Sequence, residues 1–418
     1  MKKETLHNGL RVMTIPLRNT NVVTVFVLVR TGSKHEKREI SGISHFLEHM
    51  LFKGTSKRET PLRVAEDLDK VGGLYNAFTG DDYTGYYAKV NASHLPLAVE
   101  WVSDIYLNSL LPEKEVEKEK GVVKEEINMR YDNPAAHCQL LFGELLYGDQ
   151  PAGRDIAGSK ETVSSLDREK LLSYMRSQYV SENTLVIVAG NIKEEKVREM
   201  IGNAFSDIRK GEEKEPFPVE EEQDEPRVLN FKKETDQTHF ALGARGFNSL
   251  HSHRYTQEII AALLGGMMSS RLFVRIREEM GLAYYIRTSV EDNPETGFVV
   301  TQAGVDNKRV DEAVKAVREE YRKITKEKIS PEELKKAKEH LKGKMAISLE
   351  SSDSLAYFHG TNEILERRTY TLEEFFELID SVTAEDILDA SKKIFVPENL
   401  NLSIVGPHEG ERFKEMLA

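Results

Sequence analysis

The sequence predicts an α+β protein made of two duplicated domains, and an internal repeat with an acidic break between its copies carries that prediction. Residues 165–191 align without a gap to residues 381–407, an offset of 216, with seven of 27 positions identical. In each copy a helical segment precedes Glu-Asn (Glu182-Asn183, Glu398-Asn399), an apolar strand-like run (Leu185 to Ala189, Leu400 to Val405) and a glycine, Gly190 or Gly406. Two occurrences at so long a period are unlike a solenoid. Between the copies, residues 210–226 are dense in carboxylates and interrupted by Pro216, Pro218 and Pro226, a composition that cannot bury a core. The chain's 418 residues also exceed what one core usually supports. The expected organisation is a first domain over 1–209, a linker over 210–226 and a second domain over 227–418.

Along the first domain, Ile43, Phe46, Leu47, Met50 and Leu51 fall at helical spacing. With Ser41 as cap and Gly54 as a left-handed stop, they predict a helix of about three turns. Its other face carries His45, Glu48, His49 and Phe52. Histidines at i and i+4 project about one turn apart, so both can hold one ion while Glu48 stays beside it as a general base. His-x-x-Glu-His is the inverzincin order of a zinc hydrolase motif. Next, Tyr75–Thr79 and Thr84–Val90 flank Gly80-Asp81-Asp82 and predict a hairpin.

A catalytic zinc takes three protein ligands and keeps one position for water, so a third ligand is needed. The charged run Glu113 to Arg130 predicts a helix that stops before Asn133-Pro134 and offers Glu119, Glu125 and Glu126. Glu126 lies at i+7 from Glu119 and shares its face, with Val122 and Val123 expected on the buried side. Glu126 is therefore the candidate ligand and Glu119 its support, while Glu125 reads as solvated.

The second domain does not repeat this chemistry. Where the duplication would place the motif, near residue 261, the sequence runs Ala261-Ala-Leu-Leu-Gly-Gly-Met-Met-Ser-Ser270, without histidine or carboxylate. His251-Ser-His253 reads as a surface loop with no acidic third ligand. Arg277 precedes a helix stop at Gly281 and Tyr284 opens a strand, so the two side chains can approach one point; alone, Arg277 reads as a surface ion pair. A net charge of −12 without a basic stripe argues against nucleic acid. No run of eighteen apolar residues offers a membrane span. Polar residues rather than an apolar stretch follow Met1-Lys2-Lys3, which reads as cytoplasmic. The single cysteine, Cys138, excludes an internal disulfide and reads as a small buried residue.

Three segments in order resemble the M16 metallopeptidases, which include pitrilysin, insulin-degrading enzyme and the mitochondrial processing peptidase. They are His45-Phe-Leu-Glu-His-Met-Leu-Phe-Lys-Gly-Thr55, Gly72-Gly-Leu-Tyr-Asn-Ala-Phe-Thr79 and Glu119 through Glu126, and the resemblance covers essentially the whole chain. It implies a short two-domain bacterial-type member with a LuxS-like metallohydrolase fold, each domain a mainly antiparallel sheet packed with helices. It implies one Zn2+ per chain. The family's third ligand lies 76 or 77 residues beyond the second histidine, which from His49 reaches Glu125 or Glu126, and counting from the upstream glutamate, Glu119, selects Glu126.

The implied activity is endopeptidase or oligopeptidase cleavage of short or unfolded peptides, with Glu48 as general base on zinc-bound water. Arg277 and Tyr284 match a family Arg and Tyr that contact substrate and stabilise the transition state. In relatives of this length two subunits assemble, which implies a homodimer whose active site is completed across subunits. Asn76, Ala77 and Phe78 match an exposed edge strand to which a peptide adds by main-chain hydrogen bonds. The processing peptidase carries acidic residues roughly ten and fourteen positions after the third ligand; here those places hold Ala136 and Leu140, which speaks against a dedicated processing-peptidase subunit. The other alternative is a noncatalytic scaffold or core-type subunit. Such relatives usually have damaged metal motifs, whereas His45, Glu48, His49 and Glu126 are all present here.

Overall fold

The computed structural model describes residues 1–409 and 412–417. The chain forms two compact units, each built on one sheet. The first sheet contains β1 (Lys2–Thr5), β2 (Arg11–Pro16), β3 (Val22–Val29), β4 (Leu74–Thr79), β5 (Thr84–Asn91) and β6 (Thr184–Gly190), in the order β1-β2-β6-β3-β5-β4. The second contains β7 (Arg227–Lys232), β8 (Gln237–Arg245), β9 (Ala283–Asp292), β10 (Gly297–Asp306) and β11 (Leu400–Gly406), in the order β7-β11-β8-β10-β9. Neighbours are antiparallel except β2 with β6 and β7 with β11. With β1 set aside, the two sheets have the same order and the same orientations. The architecture is the expected α+β pair of duplicated domains, and the repeat extends through five strands of each sheet.

Position within the sheet follows from composition. The central strands β3 and β6 are almost entirely apolar and buried along their length, as strands covered on both faces must be. The edge strand β4 instead alternates between exposed and half-buried residues. On one face of the first sheet, Val23, Val25, Val27 and Val29 pack with Phe46, Leu47 and Trp101.

The other face of each sheet is covered by a helix from elsewhere in the chain. Ser352–Glu366 lies on β3 and β6, where Ala356 and Ile364 join Phe26, Leu28, Leu185 and Ile187. Pro134–Tyr147 lies on β11 and β8, where Cys138, Leu141 and Phe142 join Ala241, Val300 and Val405. Residues 348–370 therefore belong to the first unit and 128–154 to the second, so the compact units differ from the contiguous spans 1–209 and 227–418. The physical reason is that both faces of a central apolar strand must leave water, and the contiguous segment covers only one. Between residues 210 and 226 the chain has no helix or strand. No helix among the described residues is long and apolar enough to cross a membrane.

Candidate active site

The motif helix spans Ile43–Met50, eight residues rather than the three turns expected. Ile43, Phe46, Leu47, Met50 and Leu51 are all fully buried, as their spacing requires. Ser41 does not cap the helix. Gly42 is the N-cap at φ 93°, and the N–H groups of Gly42 and Ser44 donate to the Glu36 carboxylate at 2.6 and 2.8 Å. A carboxylate from the preceding loop thus meets the orphan donors and the positive end of the helix dipole. Gly54 takes φ 130° where the chain turns away.

The long acidic helix Glu113–Asp132 supplies the rest of the site. Its buried stripe is Val116, Glu119, Val123 and Ile127. Val122, expected on the buried side, is 41% exposed, because it lies one residue, about 100° of helix rotation, from Val123 in that stripe. One ligand atom from each of His45, His49 and Glu126 lies within 4.8 Å of the others, the only such group among the described residues. Glu126 Oε2 is 3.6 Å from Nε2 of both histidines. That is too long for a hydrogen bond, but donors about 2.1 Å from a tetrahedral ion stand about 3.4 Å apart, so the three fit a metal.

Hydrogen bonding prepares the donors. His49 Nδ1 lies 2.9 Å from Glu119 Oε1, and Lys53 Nζ lies 2.7 Å from Glu119 Oε2. With Nδ1–H donating to the carboxylate, the lone pair of Nε2 faces Glu126 and His45. Burial would raise the Glu119 carboxyl, yet the bonds from His49 and Lys53 outweigh it and hold Glu119 below its ordinary value. Burial would likewise lower His49, but the Glu119 bond and the charges of Glu126 and Glu48 carry it above its ordinary value. Two imidazoles beside Glu48, Glu119 and Glu126 make an electron-rich pocket that a dication neutralises.

Glu48 stands outside the ligand cluster. Burial pushes its carboxyl above the usual range against a hydrogen bond from Thr79 Oγ1 at 2.6 Å and the charge of His49, with Glu126 adding to the rise. That direction suits a general base near neutral pH. Asn76, Ala77 and Phe78 lie on β4, the last strand of its sheet, with Asn76 exposed and Phe78 against the rings of Tyr83 and Tyr357.

Arg277 and Tyr284 lie in the second unit. The Arg277 guanidinium carbon sits 5.6 Å from the Tyr284 ring centre and 4.7 Å from that of Phe273, and Tyr284 is 78% exposed. Gly281 at φ 59° ends the helical stretch, and β9 begins two residues later. The stretch Phe273–Glu279 is a widened π-helical turn, which no periodicity in the sequence had signalled. His251 and His253 lie in a loop, stacked near Phe247. Cys138 is buried against Ser403, and burial pushes its thiol up to about 12. Sequence reading missed Lys53, Thr79 and Glu36. Lys53 had a signal, being one turn beyond His49 on the same face; Thr79 and Glu36 meet the motif helix only through the fold.

Comparison with known proteins shows the family. The model described as insulinase (peptidase family M16) matches residues 11–160, and that described as the peptidase M16 inactive domain matches residues 165–341. A Bacillus subtilis protein named an uncharacterized zinc protease is 34% identical, covering 97% of this chain and 98% of its own. A Rickettsia felis protein with the same description is 33% identical over 97% of each chain. The crystal structure of a protease from Helicobacter pylori matches with a TM-score of 0.91 at 25% identity, covering 97% of this chain and 99% of that one.

Proposed function

This chain belongs to peptidase family M16, and from that premise we propose that it is a zinc-dependent endopeptidase of the inverzincin type that cleaves short or unfolded peptides. One arrangement carries the reading: Nε2 of His45, Nε2 of His49 and a Glu126 oxygen converge, while the Glu48 carboxylate stands beside them uncommitted to the cluster. His45, His49 and Glu126 would hold one zinc ion per chain, which when bound would supply Lewis acidity toward water and the scissile carbonyl. Glu119 holds His49 in the tautomer that presents Nε2, and Lys53 keeps Glu119 ionised.

Glu48 takes a proton from the attacking water and delivers it to the leaving amine, so that one carboxylate serves as base and then as acid. An extended peptide pairs with the free edge of β4 along Asn76, Ala77 and Phe78, which selects unfolded backbone rather than a particular sequence. Arg277 and Tyr284, supplied by the second copy in a homodimer, donate to the oxyanion. Ala136 and Leu140 leave no acidic pair for an arginine-bearing presequence, so general peptide turnover is favoured over dedicated processing.

Chelation tests this reading. Treatment with 1,10-phenanthroline is expected to abolish cleavage of a quenched fluorescent peptide, and added zinc to restore it at one equivalent per chain. Cleavage that survives complete removal of metal would refute it.

A further inference from the structure

We infer that Thr79 is a positioning residue for the general base, fixing the Glu48 carboxylate from the same strand on which the peptide pairs. The inference rests on Glu48 being the base. Thr79 ends β4, and its hydroxyl donates to Glu48 Oε2 at 2.6 Å. With Oε2 held, Oε1 is the oxygen left to accept a proton from the attacking water, and the carboxylate plane is set before substrate arrives.

The hydroxyl is itself held from behind. The turn after Thr79 closes through Gly80 N–H to the Tyr83 carbonyl at 2.9 Å. Thr79 pairs with Thr84, whose hydroxyl donates to the Thr31 carbonyl at 2.8 Å. The segment following β3 then clamps the turn. Ser33 N–H and Lys34 N–H donate to the carbonyls of Gly80 and Asp81, the Ser33 hydroxyl donates to Asp81 Oδ1 at 2.8 Å, and the fully buried Lys34 ammonium meets Asp82 Oδ1 at 2.9 Å. Gly32 permits this approach, since a Cβ there would lie 2.1 Å from the Gly80 carbonyl oxygen.

These bonds tie the end of β4 that carries Thr79 to the segment following β3, and the Lys34–Asp82 pair, being buried, is costly to separate. Along β4, alternation puts Tyr75, Ala77 and Thr79 on one face, with Tyr75 and Ala77 packed in the core that holds Phe46 and Leu47. The strand that receives the peptide therefore reaches the base through its last side chain.

Thr79→Val keeps the side chain's shape and removes the donor. We expect kcat to fall about 10- to 100-fold, the scale of a misplaced catalytic group, with KM within about twofold and zinc content unchanged. Thr79→Ser should restore most of kcat. Wild-type kcat in Thr79→Val, an equal loss in Thr79→Ser, or a loss of zinc in place of a loss of kcat would overturn the inference. Thr79→Ala is read the same way if the valine variant does not fold. Glu48→Gln measured alongside separates the two levels: an inactive Glu48→Gln with a normal Thr79→Val removes only the role of Thr79, whereas a fully active Glu48→Gln removes the base itself.

Discussion

With β1 set aside the two sheets share one strand order, yet the helix that follows the matching strands β3 and β8 is used in opposite ways. After β3, the motif helix presents His45, Glu48 and His49 toward Glu126, with carboxylates and imidazoles crowded in a half-buried pocket. After β8, the helix Arg254–Ala261 presents Gln257, fully buried, whose amide both accepts from Phe247 N–H at 2.8 Å and donates to the Phe247 carbonyl at 2.7 Å. The second unit satisfies Gln257 locally, and its raised carboxylate, Glu258, belongs to no group of three possible metal donors among the described residues. The first keeps charged groups whose burial is costly in the absence of a counter-charge. Since the same strand order forms either way, the difference between the two helices is chemical, and the grouped imidazoles and carboxylates of the first unit are what the proposed metal site rests on.

Apart from loss of the base itself, the largest effect comes from testing whether the second unit supplies its own part. Arg277→Ala is expected to lower kcat by about 10²- to 10³-fold while zinc stays bound, the scale of losing one oxyanion donor. Mixing Arg277→Ala chains with Glu48→Gln chains should partly restore cleavage after subunit exchange, because one mixed site then holds an intact base and an intact arginine. No recovery on confirmed exchange would place Arg277 outside a shared site.

Glu119→Gln has an intermediate effect. The amide weakens the grip on His49 Nδ1 and leaves Lys53 without its carboxylate, so zinc affinity should drop by about 10- to 100-fold by competition with a metal indicator. Unchanged affinity would reduce Glu119 to a structural residue.

The smallest effect is on the second unit's own perturbed carboxylate. Burial, with Asp292 nearby, pushes Glu258 up to about 7. A raised carboxyl binds its proton more tightly in the folded state, so this group costs stability as pH rises from its unfolded value of about 4.5 through 7. Glu258→Gln should raise Tm by roughly 2–4 °C at pH 8 and leave it nearly unchanged at pH 4, with zinc content and cleavage as in the wild type. A loss of zinc or of activity would show that the second unit's helix shares the chemistry of the first.

The sequence made the grouping of the candidate residues legible because local periodicity encodes it. His45, Glu48 and His49 share a face by spacing alone, and Glu126 follows from its register with Glu119. Periodicity also led to an error, since Val122 and Val123 are adjacent and only Val123 belongs to the buried stripe. What stayed hidden was tertiary. The placement of Pro134–Tyr147 and Ser352–Glu366 on the sheets depends on which apolar face lacks cover, and the contiguous repeat gives no sign of it. Glu36 as the helix cap and Thr79 as the partner of Glu48 arise from loops and strands brought together by folding.

The most direct test of a catalytic zinc site in the first unit measures metal and cleavage together in Glu48→Gln. The substitution keeps the side chain's size, leaves all three ligands in place and removes the base. The account predicts one zinc per chain at wild-type affinity and cleavage lowered by about 10²- to 10⁴-fold or more, the range ascribed to a general base. Full cleavage with zinc bound would contradict it.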